Sequence, residues 1–119
     1  MDSWESVDVE ALNSRVSEAE RGGEAWTRHA VGTVLASLGY GLDGRSVELR
    51  AVGNRGEVAD TVVVVVARDG FNDDSVRGDW NRAVVYRTVD GTWRFREVQR
   101  AYRCWRVRSL DAYSGGRCP

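Results

Sequence analysis

The sequence predicts an α+β domain in which two N-terminal helices pack on a curved four-stranded antiparallel sheet. Three observations lead there. Apolar residues recur at helical spacing through the first third, alternation with period two takes over from Ser46, and no βαβ alternation follows. A length of 119 residues is the size of one domain, so a single domain over 1–119 is expected, helical over 6–40, sheet over 46–103 and tail over 104–119. Apolar content of 42%, charged content of 29% and a mean hydropathy of −0.44 are ordinary for a soluble globular chain.

The elements follow in order. In SVDVEALNSRVSEAE, Val9, Leu12 and Val16 form one apolar stripe of a helix, with Ser6 or Asp8 as its cap. Gly22-Gly23 interrupts it. A second helix is expected in GEAWTRHAVGTVLASLG, where Trp26, Ala30, Val34 and Leu38 step by four, Val31 and Leu35 widen the face, and Gly39 ends it. SVELRAV alternates as a half-buried strand, and the five valines of TVVVVVA predict a central strand covered on both faces. RDGFNDDSVRGD reads as a long loop or a distorted hairpin end, and Asp90-Gly91 as a hairpin turn between WNRAVVYRTV and TWRFREVQRAYR. In that last strand Trp93 and Phe95 share a parity that Val98 and Tyr102 do not. A β-bulge near Arg96–Val98 is therefore predicted, to return both pairs to one face.

Seventeen cationic residues, all arginine, against eighteen acidic ones leave a net charge of −1, so no global field draws the chain to nucleic acid or anionic lipid. The arginines are spread rather than patched, as codon bias alone would produce. The acidic N-terminus MDSWESVDVE has no apolar leader core and no run is long enough for a membrane span, which predicts a cytoplasmic protein.

Helices followed by antiparallel strands resemble the cystatin-like and nuclear transport factor 2-like superfamily, in which a curved sheet wraps a helix into a cone. AERGGEAW at 19–26, DDSVRGDWNR at 73–82, DGTW at 90–93 and YRCWR with a second cysteine near the end are similar to a family of small, mostly uncharacterised cyanobacterial and actinobacterial proteins. That resemblance implies fold boundaries and no activity. Its members carry a Gly-rich stretch after the first cysteine, where this chain reads RCWRVRSLDAYSGGRC.

Candidate chemistry is sparse. Cys104 and Cys118 are too far apart for C-x-x-C, and one histidine cannot complete a four-ligand site, so no metal and no cofactor are expected. A Cys104–Cys118 disulfide would tether the tail and contribute about 3 kcal/mol, but a reducing compartment disfavours it; both readings stay open. Asp73-Asp74-Ser75 concentrates acid in the long loop, as a capped turn or as a base at a cone mouth, with Arg77 or Arg82 as pairing partners. Trp26, Trp93 and Trp80 are expected to fill the space between helix and sheet. Trp80, Tyr102, Trp105 and Arg106 form a candidate partner- or ligand-binding set, Trp105 among arginines suggesting a stacking platform or a self-packed flap.

These features point to a small non-enzymatic binding or assembly module for an unidentified protein or small molecule, with a homodimer through the outer sheet face as one form. The alternative is a cyclase- or isomerase-type enzyme with a pocket between helix and sheet, His29 or Asp74 carrying the proton and Tyr86 as oxyanion donor.

Overall fold

A computed structural model describes residues 4–38, 46–54, 60–70, 76–104 and 113–114. The order is β1 (Glu5–Ser6), α1 (Val9–Arg21), a 3₁₀ turn (Ala25–Arg28), α2 (Ala30–Leu38), β2 (Ser46–Gly53), β3 (Thr61–Asp69), β4 (Val76–Arg87), β5 (Trp93–Cys104) and β6 (Tyr113–Ser114). The fold is α+β. All strand pairs are antiparallel in the order β1-β5-β4-β3-β2, with β6 also on β5. The sheet therefore exceeds the four strands expected, because two-residue strands too short to show a period join the free side of β5.

Asp8 is the cap of α1, its carboxylate accepting from Glu10 N at 2.9 Å. At the other end Gly23, at φ 76°, turns the chain out of the helix while Glu24 N donates to Ala19 O and Gly23 N to Glu20 O, a Schellman closure. The second helix is shorter than predicted, and Trp26 lies outside it. Thr27 Oγ1 takes the Glu24 carbonyl at 2.8 Å, the turn tightens to 3₁₀, and His29 is extended before α2 begins. Gly32 lets the turn close over α2, since a Cβ there would meet Trp26 O at 3.3 Å. The expected cap at Gly39 lies outside the described residues.

One face of the sheet carries the core. Val62, Val64 and Val66 of β3, Ala83 and Val85 of β4 and Trp93, Phe95 and Val98 of β5 pack against Leu12 and Val16 of α1 and Val34 of α2, with Trp26 at the margin. The valine run is central in the sheet, and among the described residues a helical layer covers one of its faces only. Val63 and Val65, on the outer side, stay partly exposed. Trp80 is likewise outside the core: it pairs with Ala101, one register position away from the helix-side residues Asp79 and Asn81.

The bulge falls within the predicted segment. Val84 pairs with Glu97 and Val85 with Phe95, leaving Arg96 as the extra residue of β5. Phe95 and Val98, odd and even, thereby both face the helices. The β4–β5 turn is a three-residue loop with Gly91 at φ 85°, closed by Gly91 N to Thr88 O and Thr88 N to Thr92 O. At the flanks of the polar segment 68–79, β3 runs to Asp69, and Arg77 is a second extra residue between the Val76 and Gly78 pairings; residues 71–75 lie outside the described residues.

The two edges are treated differently. On β5, Val7 N donates to Val98 O at 2.9 Å, and Asn13 does the work of a strand, its amide donating to Phe95 O at 2.9 Å and accepting from Phe95 N at 2.7 Å. On β2, the opposite edge, none of the described residues pairs with the outward backbone.

Gly78 is required by close approach: a Cβ there would stand 2.1 Å from Arg68 O, inside backbone rather than a yielding side chain. Gly78→Ala is expected to lower stability by about 2–3 kcal/mol, read as the shift in the urea midpoint.

Candidate functional site

The helix side of the sheet divides in two. Beyond Val66 and Ala83 the same face carries Arg68, Asp79, Asn81, Arg100 and Tyr102, joined in register by Arg68–Asp79, Asp79–Tyr102 and Asn81–Arg100 pairings. Asp79 and Asn81 are buried at 4% and 1% exposure. Burial at those positions is tolerable only with partners. Arg68 meets Asp79 through two parallel bonds, Nε to Oδ1 at 3.0 Å and Nη2 to Oδ2 at 2.6 Å. Arg100 Nε donates to Asn81 Oδ1 at 2.7 Å, the Asn81 amide reaches Val66 O at 3.4 Å, and Tyr102 donates to Glu5 Oε1 at 3.0 Å. The row is held in fixed pairs, a polar strut rather than a set of free acids and bases.

On the outer side lies a cleft of about 520 Å³ lined by Glu48, Leu49 and Arg50 of β2, Val65 and Ala67 of β3, and Trp80 of β4. Its floor is apolar because the valine run is apolar at both parities, and Trp80 forms one wall. Glu48 and Arg50 stand on the rim, opposite Ala67 and Val65 in register, so each lacks a charged neighbour across the strand. Further along this face Arg82 approaches Glu97 at 3.6 Å, and the Arg96 guanidinium lies 5.1 Å from the Tyr86 ring centre. Arg82 thus has partners within the sheet, Glu97 and Gln99, and the loop acids expected to pair with it lie outside the described residues.

A third polar group ties α1 to the start of β5. Glu20 Oε2 accepts from Arg94 Nη2 at 3.1 Å. The nearby Thr92 hydroxyl, against an opposing effect of burial and together with Arg94 and Arg28, holds the Glu20 carboxyl below its ordinary range, although no hydrogen bond closes on its buried Oε1.

The residues singled out in the sequence are scattered by this geometry. Tyr86 alternates with the buried Val85 and points to the outer face, while His29 is exposed in the helical layer, so the sheet stands between them. Trp80 lies on the outer face and Tyr102 on the helix side, so those two do not form one platform. Asp73, Asp74, Trp105, Arg106 and Cys118 lie outside the described residues, as does the Cys104 side chain. Among the described residues no group of three or more His, Cys, Asp or Glu is placed to hold a metal ion. No helix among them is long and apolar enough to cross a membrane.

Arg68, Asp79, Asn81 and Arg100 were not singled out in the sequence. Their signal was parity: Asp79 and Asn81 share it with Ala83 and Val85. A strand begun at Trp80 leaves Asp79 in the loop and hides the match. Comparison with known proteins identifies none of these surfaces: no family model, no curated protein and no solved structure matches the chain.

Asp79→Ala removes both acceptors of the bidentate Arg68 pair and is expected to cost about 1.5–3 kcal/mol in chemical denaturation. Arg68→Met combined with Asp79→Leu should recover much of that loss. For Glu20 a lowered folded-state pKa means that its stabilisation is present above the unfolded value and is lost as pH falls through the folded one. Glu20→Gln should accordingly flatten the acid limb of a stability profile taken from about pH 7 to about pH 3, being less stable than the parent at neutral pH and converging on it at the acid end.

Proposed function

We propose that the chain is a small non-enzymatic binding and assembly module, and that its working surface is the outer face of the sheet around Trp80. The observation that supports this most directly is an apolar-floored cleft with an indole wall and a charged rim on a face that none of the described helices covers. Such a surface takes a partner by apolar contact and orients it by the rim charges. The helix-side polar groups point the same way. Asp79 is occupied by Arg68 and Asn81 by Arg100, and His29 and Tyr86 stand on opposite sides of the sheet, which favours a module over a cyclase- or isomerase-type pocket between helix and sheet. The helix-then-meander order keeps the cone-like cystatin or nuclear transport factor 2-like architecture, and the small bacterial family, as the readings of descent we adopt. A cytoplasmic setting accompanies that proposal.

Anilinonaphthalene sulfonate, which pairs an aromatic body with an anion that Arg50 can meet, is a direct probe of the cleft. The folded protein is expected to bind it with blue-shifted emission, and Trp80→Ala to weaken that binding about tenfold while leaving the thermal midpoint nearly in place. Equal binding by both proteins would refute the assignment of the cleft.

A further inference from the structure

Among the described residues β2 is an unpaired edge of unusual regularity. Its register with β3 is unbroken from Ser46 to Gly53, it contains neither proline nor bulge, and residues 47–53 are all exposed. Those are the devices by which edge strands are ordinarily blunted, and the other edge of this sheet is blocked by β1, Val7 and Asn13. Asn54 N donates to Thr61 O at 2.9 Å, continuing the β2–β3 ladder as a hydrogen-bonded pair. By alternation the even residues of β2 bond to β3, and Val47, Leu49, Ala51 and Gly53 aim their backbone groups outward.

We propose that β2 pairs antiparallel with β2 of a second copy about a two-fold axis through Leu49, extending the two sheets into one. Faces must be preserved across such an axis, so only registers that match odd with odd and even with even are allowed. Centred on Arg50 the pairing sets Arg50 against Arg50 of the second copy, and centred on Glu48 it sets Glu48 against Glu48. Centred on Leu49, each Glu48 meets Arg50 of the other copy on the outer face. On the helix side Leu49 then meets Leu49, and Val47 meets Ala51.

The outward backbone fits the same register. Val47, Leu49 and Ala51 fall in narrow pairs that exchange both hydrogen bonds, and Glu48 and Arg50 fall in the wide pairs, where opposed side chains come closest. Neither charge has an ion-pair partner among the described residues. Val47, Leu49 and Val52, exposed at 38%, 45% and 59%, gain cover. This pairing rests on the assembly reading above and names its partner as the chain itself, with the Trp80 clefts of the two copies brought to either side of the axis.

Charge reversal tests it, because the two residues face each other only in this register. Sedimentation equilibrium of the full chain up to about 500 µM, enough to detect a dissociation constant below about 1 mM, should show a dimer. Glu48→Arg and Arg50→Glu should each weaken it about tenfold or more, since each creates like-charge pairs twice over. The double variant carrying both reversals restores opposite charges and should dimerise like the parent. Leu49→Lys, which sets two ammonium groups at the axis, should leave a monomer with an unchanged circular dichroism spectrum. A chain monomeric throughout that range overturns the proposal, as does a dimer indifferent to both single reversals or a double variant as weak as the singles. The dye test at Trp80 reads monomers as well as dimers, so a monomer that still binds dye overturns the pairing and leaves the cleft standing.

Discussion

The helices can be held only if Phe95 and Val98 lie on the same side of β5. They differ in parity, and a regular strand would turn one of them to the outer face. Arg96, the extra residue between the Glu97 and Phe95 pairings, removes the conflict. Phe95, only 2% exposed, then reaches the layer of Val16 and Val34, and its backbone is available to Asn13. One inserted residue thereby links the register of the last hairpin to the seating of α1.

Along the helix side the core gives way to polarity within one strand step, from Val66 to Arg68 on β3 and from Ala83 to Asn81 on β4. The change coincides with the paired rather than free condition of every polar group there that is described. A bidentate arginine–carboxylate pair contributes geometry more reliably than stability, because desolvation offsets much of its attraction. At this end of the sheet it fixes the spacing of β3 and β4 next to the second irregularity of β4, where Gly78 lets two backbones nearly touch.

What could be read in the sequence was whatever a period records. Val9, Leu12 and Val16 located α1, alternation located β2 and the last hairpin, and the clash of parities in β5 located the bulge. What escaped depends on partners or on single hydrogen bonds. Five consecutive valines are alike at both parities, so nothing local says that one face of β3 stays open; only the number of layers decides it. Thr27 broke the second helix by competing for one carbonyl, a choice invisible in the spacing of Trp26 and Ala30. Trp80 was expected inside on size alone, though its parity with Arg82 placed it outside. The polar row around Asp79 was legible by the same parity, had β4 been started earlier. Of the candidate site, the aromatic wall was named from sequence but assigned to the wrong side of the sheet, and the rim charges Glu48 and Arg50 were taken only as the polar half of an alternation.

Asn13 and Phe95 grip one another across 82 residues of chain. During synthesis from the N-terminus at about 5–20 residues per second, α1 must wait at least several seconds for the strand that receives it. Its stripe of Leu12 and Val16 is naked for that interval, and its own thirteen residues are too few to hold a helix in water alone. The nascent chain is consequently at its stickiest when the β2–β3 hairpin has emerged without the rest, an apolar ribbon with two open borders. Chaperone demand and inclusion-body formation should therefore track the speed of translation between Thr61 and Phe95 more closely than the stability of the finished fold.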